Sequence, residues 1–172
     1  DYIIHCAALK NVQVCEISPS TCVNTNILAT SNIIYASRMN NVKKVLFTSS
    51  DKAVNPTNIM GASKLVAEKL ITAANLEFSG KSKTIFSSTR FGNVIGSTGS
   101  VIPIFINQIK ENKKLTITSK KMTRFMMSNK KSVQLVLNSL EISRGGEIFI
   151  TKMPTINIFN LAQCIYKMYS AN

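Results

Sequence analysis

The sequence is poor in metal ligands, acidic residues and long apolar runs. Of its 172 residues one is histidine and eight are acidic, and the four cysteines show no paired C-x-x-C spacing. A zinc or other metal site is therefore not expected. No apolar run reaches the roughly 18 residues that a membrane-spanning helix needs. No secretory signal is visible, and cysteines without such spacing are typical of a reducing, cytoplasmic compartment.

The scarcity of acidic residues leaves a net charge of +13. Such a charge can indicate a nucleic-acid-binding protein. Two features argue against that function: the lysines occur as scattered pairs without interleaved aromatic residues, and only four arginines are present. Arginine is the residue that base and phosphate recognition favours. We therefore expect no nucleic-acid partner and, instead, an anionic small-molecule substrate.

The remaining composition is that of a globular protein with a parallel sheet. The chain is 45% hydrophobic and 17% charged, which allows one domain with a core. Strands are predicted at 2–6, 44–48, 84–90 and 147–150, with a short extra strand at 115–118. Helices are predicted after Ser18-Pro19, after Asn55-Pro56, from Ser100, from Ser128 and around 158–165. Alternating strands and helices predict an α/β fold. Because the chain opens inside an apolar strand, we expect it to be an internal fragment of a longer protein.

The most informative stretch combines two short runs, Thr48–Lys52 and Met60–Lys64. A hydroxyl, a carboxylate and an ammonium (Ser50, Asp51 and Lys52) follow a predicted apolar strand, and Lys64 lies on the first turn of the next predicted helix. Ligands of parallel α/β sheets bind at the carboxyl ends of strands. These residues predict a proton-transfer site. A capped helix start with solvated charges is the alternative.

Several motifs occur in the order in which a known family carries them. They are His5-Cys6-Ala7-Ala8, Asn24-Thr25-Asn26, the run from Ser49 to Asn58, the M-x-x-x-K of Met60 to Lys64, Arg90-Phe91-Gly92-Asn93 and Met122-Thr123-Arg124-Phe125. The chain resembles an extended short-chain dehydrogenase/reductase. More narrowly, it is similar to the polysaccharide-biosynthesis UDP-N-acetylglucosamine 4,6-dehydratases, in their methionine-bearing branch.

The resemblance covers nearly the whole chain. It implies a Rossmann-like doubly wound parallel sheet, present in part, whose N-terminal dinucleotide-binding half and C-terminal end lie outside this sequence. Residues 1–172 would form the central part of the enzyme domain. Residues 1–95 would be mainly the cofactor-sheet half, and residues 96–172 would mix substrate-lobe and sheet elements.

The resemblance also implies a mechanism. In this family, bound NADP oxidises carbon 4 of the sugar, the ketone acidifies the proton at carbon 5, water leaves from carbon 6, and the hydride returns there. Lys52 is the implied base and Asp51 the implied acid. A lysine base needs a lowered pKa and a carboxylic acid a raised one, which burial would favour and a mutual salt bridge would oppose. Lys64 would hold the nicotinamide ribose, and Ser50 would orient the sugar hydroxyl or the nicotinamide.

Met60 occupies a catalytic position at which most of the superfamily has tyrosine. The tyrosine phenolate takes the hydroxyl proton during oxidation, and a thioether cannot accept that proton at neutral pH. One interpretation is lost activity. The interpretation that we prefer is the methionine-bearing branch of the dehydratases. Another group must then take the proton, and Asp51 is the nearest titratable candidate.

The remaining implied contacts concern cofactor and substrate. The cofactor residues are Ala7, Ala8, Lys10, Asn26, Lys64 and Phe91, and the substrate residues are Asn93, Ser100, Val101, Thr123 and Arg124. Asn26 would organise water near Lys64. A helix beginning at Ser100 offers N–H groups to a phosphate, and Arg124 would bind the diphosphate as a fork, with a surface ion pair as its alternative. NADP is the expected cofactor and NAD the alternative.

Three hypotheses follow. The first is an NADP-dependent UDP-sugar 4,6-dehydratase of bacterial surface polysaccharide biosynthesis. The second is an epimerase or reductase of the same fold, which the Asp51-Lys52 pair disfavours because simple 4-epimerases lack it. The third is a non-catalytic dinucleotide-binding regulator, which Met60 favours and the retained Lys64 and Arg124 disfavour. We expect a cytoplasmic homo-oligomer when the protein is complete, with an inner-membrane anchor only if upstream sequence supplies one, and an inactive fragment otherwise.

Overall fold

The structure is a computed structural model and describes residues 1–76 and 83–170. The strands are β1 (Tyr2–His5), β2 (Lys44–Ser50), β3 (Ile85–Phe91), β4 (Asn93–Val94), β5 (Thr123–Met127), β6 (Ile148–Ile150) and β7 (Thr155–Asn157). The α-helices are α1 (Val12–Ile17), α2 (Pro19–Val23), α3 (Ala29–Met39), α4 (Ile59–Leu76), α5 (Val101–Lys110), α6 (Asn129–Ile142) and α7 (Ile158–Ser170). A π-helical segment (Asn24–Leu28) joins α2 to α3, and a 3-10 turn (Asp51–Ala53) follows β2.

The chain divides into two compact units, each discontinuous in sequence. The first comprises Asp1–Phe91 and Val133–Thr151, and the second comprises Gly92–Ser132 and Lys152–Asn172. The division near residue 95 predicted above concerns the functional halves of a longer enzyme, and it stays a prediction.

A parallel sheet organises the first unit. Its four strands lie in the order β1-β2-β3-β6, and every neighbouring pair is parallel. Phe47 at the centre of β2 is in register with His5 of β1 and Ser88 of β3, and Ser50 is in register with Phe91. Parallel neighbours need crossover connections, which the helices between the strands supply. The α/β fold predicted from the alternating pattern is confirmed.

Helices α3 and α4 cover the central strands and form the main core. Val45, Phe47 and Phe86 of the sheet pack with Ile34 of α3 and Ile71 of α4, all of them 7% exposed or less. Burying each such side chain contributes about 1.5–3 kcal/mol relative to exposure. The five residues from Val45 to Ser49 are all buried, which is the pattern of a central strand covered on both faces.

The second unit combines a small mixed sheet with two packed helices. Strand β5 pairs in parallel with β4 and antiparallel with β7. Phe105 of α5 packs with Ile158, Ala162 and Ile165 of α7, which follow the helical spacing predicted for the last element. Helix α7 starts directly after β7, where the Ile158 N–H donates to the Met122 carbonyl at 2.9 Å.

The predicted strand at 115–118 is wrong. Leu115 and Ile117 alternate with polar residues as in a strand, but they pack against the α5–α7 core and pair with no strand in the described part of the chain. The sequence pattern also does not predict α1, β4, β5 or β7. Most of these elements are too short for a hydrophobic period to appear in them, and β5 does not alternate. None of the helices within 1–76 and 83–170 combines the length and apolarity needed to cross a bilayer.

A buried ion pair joins strand β3 to helix α4 in the first unit. The Arg90 guanidinium donates to both oxygens of Glu68, at 2.9 and 2.6 Å, and the Glu68 side chain is fully buried. These hydrogen bonds, opposed by burial, leave the pKa of Arg90 raised. The pair joins β3 to α4, and a buried carboxylate of this kind depends on its partner.

We expect Arg90→Met to destabilise the full chain by about 3–5 kcal/mol, because Glu68 would stay buried without a counter-ion. Urea unfolding would measure the change. Lys113→Met is the control, since it breaks the pair with Glu111, whose two side chains are 68% and 57% exposed, and should cost no more than about 1 kcal/mol. Equal effects of the two substitutions would contradict the structural role of the buried pair.

Candidate active site

The polar run after β2 forms one hydrogen-bonded cluster. Ser50 ends the strand in extended conformation, and its hydroxyl donates to Asp51 Oδ1 at 2.9 Å and accepts from the Lys52 N–H at 3.2 Å. Lys52 Nζ donates to the same Asp51 Oδ1 at 3.1 Å. The Lys52 and Asp51 side chains are 32% and 19% exposed. This is the mutual salt bridge that the sequence left as an alternative for the pair.

Asp51 has one carboxylate oxygen engaged and one available. Both contacts go to Oδ1, and no described residue hydrogen-bonds to Oδ2. A carboxylate oxygen has two acceptor sites, so Oδ2 can meet a hydroxyl of a bound molecule. The cluster therefore combines a fixed charge pair with an open acceptor, as a proton-transfer site requires.

Helix α4 begins close to this cluster. The Asn58 side chain accepts from the Gly61 N–H at 2.8 Å, as a helix cap does. A Cβ added to Gly61 would lie 2.5 Å from the Lys52 carbonyl oxygen and 3.2 Å from Pro56 Cβ. Only glycine permits this approach, so Gly61 helps to set the position of the Lys52 turn against α4.

Lys64 points from α4 toward the end of β2. Its side chain is nearly buried, at 6% exposure, and Nζ donates to the Thr48 carbonyl at 2.8 Å. Nζ also lies 4.6 Å from the centre of the Phe47 ring. Burial lowers the pKa of Lys64 to about 8, against the opposing influence of the Cys6 and Cys22 thiols. A buried lysine with a pKa near neutrality is typical of a functional site.

Asn26 lies in the π-helical segment and holds the loop after β1. Its Oδ1 accepts from the Leu9 N–H at 2.7 Å, and its Nδ2 donates to the Leu9 carbonyl and to Ser63 Oγ at 3.0 and 2.9 Å. π-Helical turns recur at functional sites. Asn26 thus links the loop that carries Ala7, Ala8 and Lys10 to α4. Its predicted role in organising water near Lys64 stays a prediction.

Most of the predicted cofactor and catalytic residues of the first unit that lie outside its helices follow the ends of neighbouring strands. The loop with Ala7, Ala8 and Lys10 comes after β1, the cluster at Ser50 ends β2, and Phe91 ends β3 in register with Ser50. Carboxyl ends of parallel strands share one edge of the sheet, which is where such folds bind their ligands. The fold thus brings these residues to a common edge.

Met60 is a buried residue at the start of α4. It is 4% exposed and packs with Cys15, Cys22 and the neighbouring apolar residues Leu9 and Val12. The thioether itself accepts no proton at neutral pH. A catalytic role of this position stays a prediction.

His5 is a buried titratable group that the sequence analysis does not assign to the site. It is 2% exposed, and burial, with a smaller effect of Lys64, lowers its pKa to about 4. The Thr30 hydroxyl donates to the Asn26 carbonyl at 2.7 Å, so the 3.0 Å contact between His5 Nε2 and Thr30 Oγ1 has His5 as its donor. The position of this histidine at the end of an apolar strand is the signal that could have found it.

The predicted substrate residues all belong to the second unit. Asn93 donates from Nδ2 to the Phe125 carbonyl at 2.9 Å, which fixes β4 against β5. Thr123 and Arg124 lie exposed on β5, and no described residue forms an ion pair with Arg124. Ser100 precedes α5, whose first residue is Val101. The buried Oγ of Ser100 has no hydrogen-bond partner among the described residues.

Comparison with known proteins identifies the family. A family model described as polysaccharide biosynthesis protein matches residues 1–172. The chain belongs to the polysaccharide biosynthesis protein family. This match agrees with the resemblance inferred from the motifs.

The relatives of this chain include proteins named as an epimerase and as a dehydratase. The chain is 48% identical over 171 residues to a UDP-glucose 4-epimerase of Rickettsia bellii, covering 99% of this chain and 50% of the relative. It is 48% identical over 166 residues to the UDP-N-acetylglucosamine 4,6-dehydratase (inverting) of Campylobacter jejuni, covering 96% of this chain and 49% of the relative. The chain thus spans about half the length of these relatives.

Solved structures of the family and of the wider fold agree with the architecture. The X-ray structure of Pen from Bacillus thuringiensis is 49% identical, with a TM-score of 0.96 over 100% of this chain and 54% of that chain. DesIV, the dTDP-glucose 4,6-dehydratase of Streptomyces venezuelae, solved with NAD, has a TM-score of 0.90 at 18% identity, over 100% of this chain and 58% of that chain. At that identity the second likeness concerns the Rossmann fold alone.

Gly61→Ala tests the close approach between α4 and the Lys52 turn. Alanine is the better helix former, yet its Cβ would clash with the Lys52 carbonyl, so we expect a loss of about 1–3 kcal/mol in the unfolding free energy. Ala62→Gly, at the exposed neighbouring position, calibrates helix propensity in the same turn and should cost about 0.5–1 kcal/mol. Stabilisation by Gly61→Ala would contradict the contact.

His5 should make stability depend on pH. The folded state keeps His5 neutral down to about pH 4, whereas the unfolded chain protonates near 6.5, so the unfolded state binds more protons between these values. The contribution of neutral His5 to the free energy of unfolding is therefore complete above pH 6.5. It decreases by about 3 kcal/mol as the pH falls toward 4. His5→Gln keeps a donor near Nε2 and cannot titrate. The difference in stability between wild type and this variant, from urea unfolding, should therefore change over this pH range; a constant difference would contradict the buried neutral state.

Proposed function

We propose that the chain is the central part of an NADP-dependent nucleotide-sugar 4,6-dehydratase, which converts a UDP-N-acetylglucosamine-type substrate to a 4-keto-6-deoxy sugar. The observation that carries the proposal is the Ser50–Asp51–Lys52 cluster, in which an ion pair leaves one carboxylate oxygen open. The dehydratase name of the Campylobacter jejuni relative supports it. The proposed setting is the synthesis of bacterial surface polysaccharide, in the cytoplasm.

Three features at the edge of the sheet support a dinucleotide site. Ala7 and Ala8 are small enough for a close approach, Lys64 supplies a fixed ammonium, and Asn26 holds the loop in place. A bound nicotinamide would take the hydride from carbon 4 and return it to carbon 6. Lys64 would hold the ribose hydroxyls near the end of β2. NAD is the alternative cofactor, and the DesIV structure contains it.

The ion pair gives a consistent account of the protons. Asp51, charged in the pair, takes the carbon-4 hydroxyl proton on its open oxygen, since the Met60 thioether cannot. Protonated Asp51 no longer stabilises the ammonium of Lys52, which passes a proton to solvent and becomes a base. Lys52 then removes the carbon-5 proton, and Asp51 gives its proton to the departing carbon-6 hydroxyl, which leaves as water.

The return steps restore the starting state. Lys52 gives the proton back to carbon 5 as hydride reaches carbon 6, and it then regains a proton from solvent. Lys52 is 32% exposed, so this exchange is accessible. The Asp51–Lys52 salt bridge is the resting state of this proposed cycle. It breaks when Asp51 takes the first proton, so it does not oppose the later steps.

The second unit would supply contacts for the UDP group. Asn93, Ser100, Val101, Thr123 and Arg124 are the proposed residues. Two observations on the described residues support them: the Ser100 hydroxyl before α5 has no hydrogen-bond partner there, and Arg124 forms no ion pair. Both groups can donate to phosphate oxygens. The complete protein is proposed to be a homo-oligomer.

A UDP-sugar 4-epimerase is the second candidate, since relatives from Rickettsia carry that name. A 4-epimerase needs only reversible oxidation at carbon 4 and has no use for a base at carbon 5. The Asp51–Lys52 pair therefore favours the dehydratase, and the product formed by the complete protein decides between the two.

Lys52→Met in the complete protein tests the dehydratase. Loss of the base should slow water elimination about 100- to 10,000-fold, while oxidation at carbon 4 continues in part, so that a 4-keto sugar or reduced cofactor accumulates. Absorbance of the reduced cofactor and NMR of the sugar, including deuterium exchange at carbon 5, would measure both steps.

Lys69→Met is the matched control, because Lys69 lies exposed on α4 and should leave turnover unchanged. If Lys52→Met released the 4-keto-6-deoxy product at a near-normal rate, Lys52 would not be the base at carbon 5. Exclusive formation of a 4-epimer by the wild-type protein would overturn the dehydratase itself.

A further inference from the structure

Lys64 is a buried cation without an anionic partner. It is 6% exposed, and among the described residues its ammonium donates one hydrogen bond, to the Thr48 carbonyl at 2.8 Å. No carboxylate of the described residues forms an ion pair with it. A buried ammonium loses its hydration, and a single carbonyl replaces little of it. Some other group must offset the remaining cost.

The Phe47 ring is the group in place. It lies on β2 under Lys64, with 4.6 Å between Nζ and the ring centre, and it is 1% exposed. The face of an aromatic ring attracts a cation, and the attraction is strongest where water is excluded. Phe47 is also the strand neighbour of Thr48, so strand β2 supplies both contacts of the ammonium.

The ring itself is held from the side of β1. The rings of His5 and Phe47 are tilted by 44°, with 5.4 Å between their centres. His5 is fixed in turn by its hydrogen bond to Thr30. Phe47 cannot turn away from Lys64 without disturbing these contacts and the core that it shares with Ile34 and Ile71.

We propose that Phe47 is a positioning residue for Lys64, and that its ring face holds the ammonium at the end of β2 in place of a carboxylate. A ring carries no net charge, so it attracts the cation less strongly than an ion pair would. Lys64 is thereby kept charged and oriented without being fixed in a strong salt bridge. The consequence for catalysis rests on the proposed function, whereas the effect on Lys64 itself does not.

None of the other titratable groups described around Lys64 is a fixed negative charge that would hold its ammonium in place of the ring. His5 of β1 faces it as a neutral imidazole, and a charged one would repel the ammonium. The Cys6 and Cys22 thiols, after β1 and on α2, favour the charged form of Lys64 only when they ionise. The pKa of Lys64, about 8, is the balance between its burial and these weak partners.

Phe47→Leu in the complete protein is the test, with Phe86→Leu as its matched control. Both rings are buried in the same core cluster on neighbouring strands, and only Phe47 lies under Lys64. NMR of lysine labelled at Cε, with the Lys64 signal assigned by its loss in Lys64→Met, would give the pKa of Lys64. We expect it to fall by about one unit in Phe47→Leu and to stay constant in Phe86→Leu.

The pH dependence of kcat/KM gives a second readout. Because Lys64 acts in its charged form, the alkaline limb of the profile should move to lower pH by a similar amount in Phe47→Leu alone. If a leucine variant does not fold, Phe47→Met and Phe86→Met replace the pair, because methionine is longer and more flexible and adapts better to the space that a ring leaves. Equal shifts in both variants, or no shift in the Phe47 variant, would overturn the proposal. If the wild-type protein turns over no UDP-sugar, the proposed function falls, and the NMR titration still decides the role of Phe47.

Discussion

The close packing of α4 on β2 is the constraint on which the candidate site depends. Gly61 lets the helix start within contact of the Lys52 carbonyl, and one turn later Lys64 reaches the Thr48 carbonyl. Two successive turns of one helix thus meet the end of strand β2 and the turn that follows it. Any widening of this contact would separate the ammonium of Lys64 from the Asp51–Lys52 turn, so the site requires a core that keeps helix and strand together.

Apolar packing and a buried ion pair keep helix α4 against the sheet. Ile71 of the helix that carries Lys64 packs on Phe47 and Phe86. Glu68, which lies one turn after Lys64 in the same helix, binds Arg90 of β3. A buried ion pair gains little stability over an apolar pair of the same shape, but it requires one geometry. The Arg90–Glu68 pair joins α4 to β3 at one point, and the apolar side chains supply most of the free energy.

The charges of the first unit differ in how they are balanced. Asp51 and Lys52 neutralise each other at a partly exposed position, where protons can exchange with solvent. Lys64 lies deeper and is balanced by a ring and a carbonyl. Proton transfer in the proposed reaction needs the first arrangement, and holding a cofactor hydroxyl needs the second. The same sheet edge provides both because burial increases from the turn toward the helix.

The sequence by itself determined the α/β class, most of the larger elements and the chemical content of the site. Apolar runs such as Val45–Ser49 and the helical spacing of α4 and α7 reflect burial, which acts locally and leaves a period that can be read. The motif order was enough to indicate the family, since residues such as Asp51, Lys52 and Lys64 occur at characteristic spacings.

Only the tertiary structure decided how these groups interact. The short β4 and β7 form because a partner strand lies beside them, and 115–118 remains outside any sheet because its apolar residues pack on helices instead. The surroundings of His5, Met60 and Lys64 depend on residues distant in sequence: the Phe47 ring, the Thr30 hydroxyl and the pair Cys15 and Cys22. Long-range contacts of this kind set burial and protonation, and no local pattern records them.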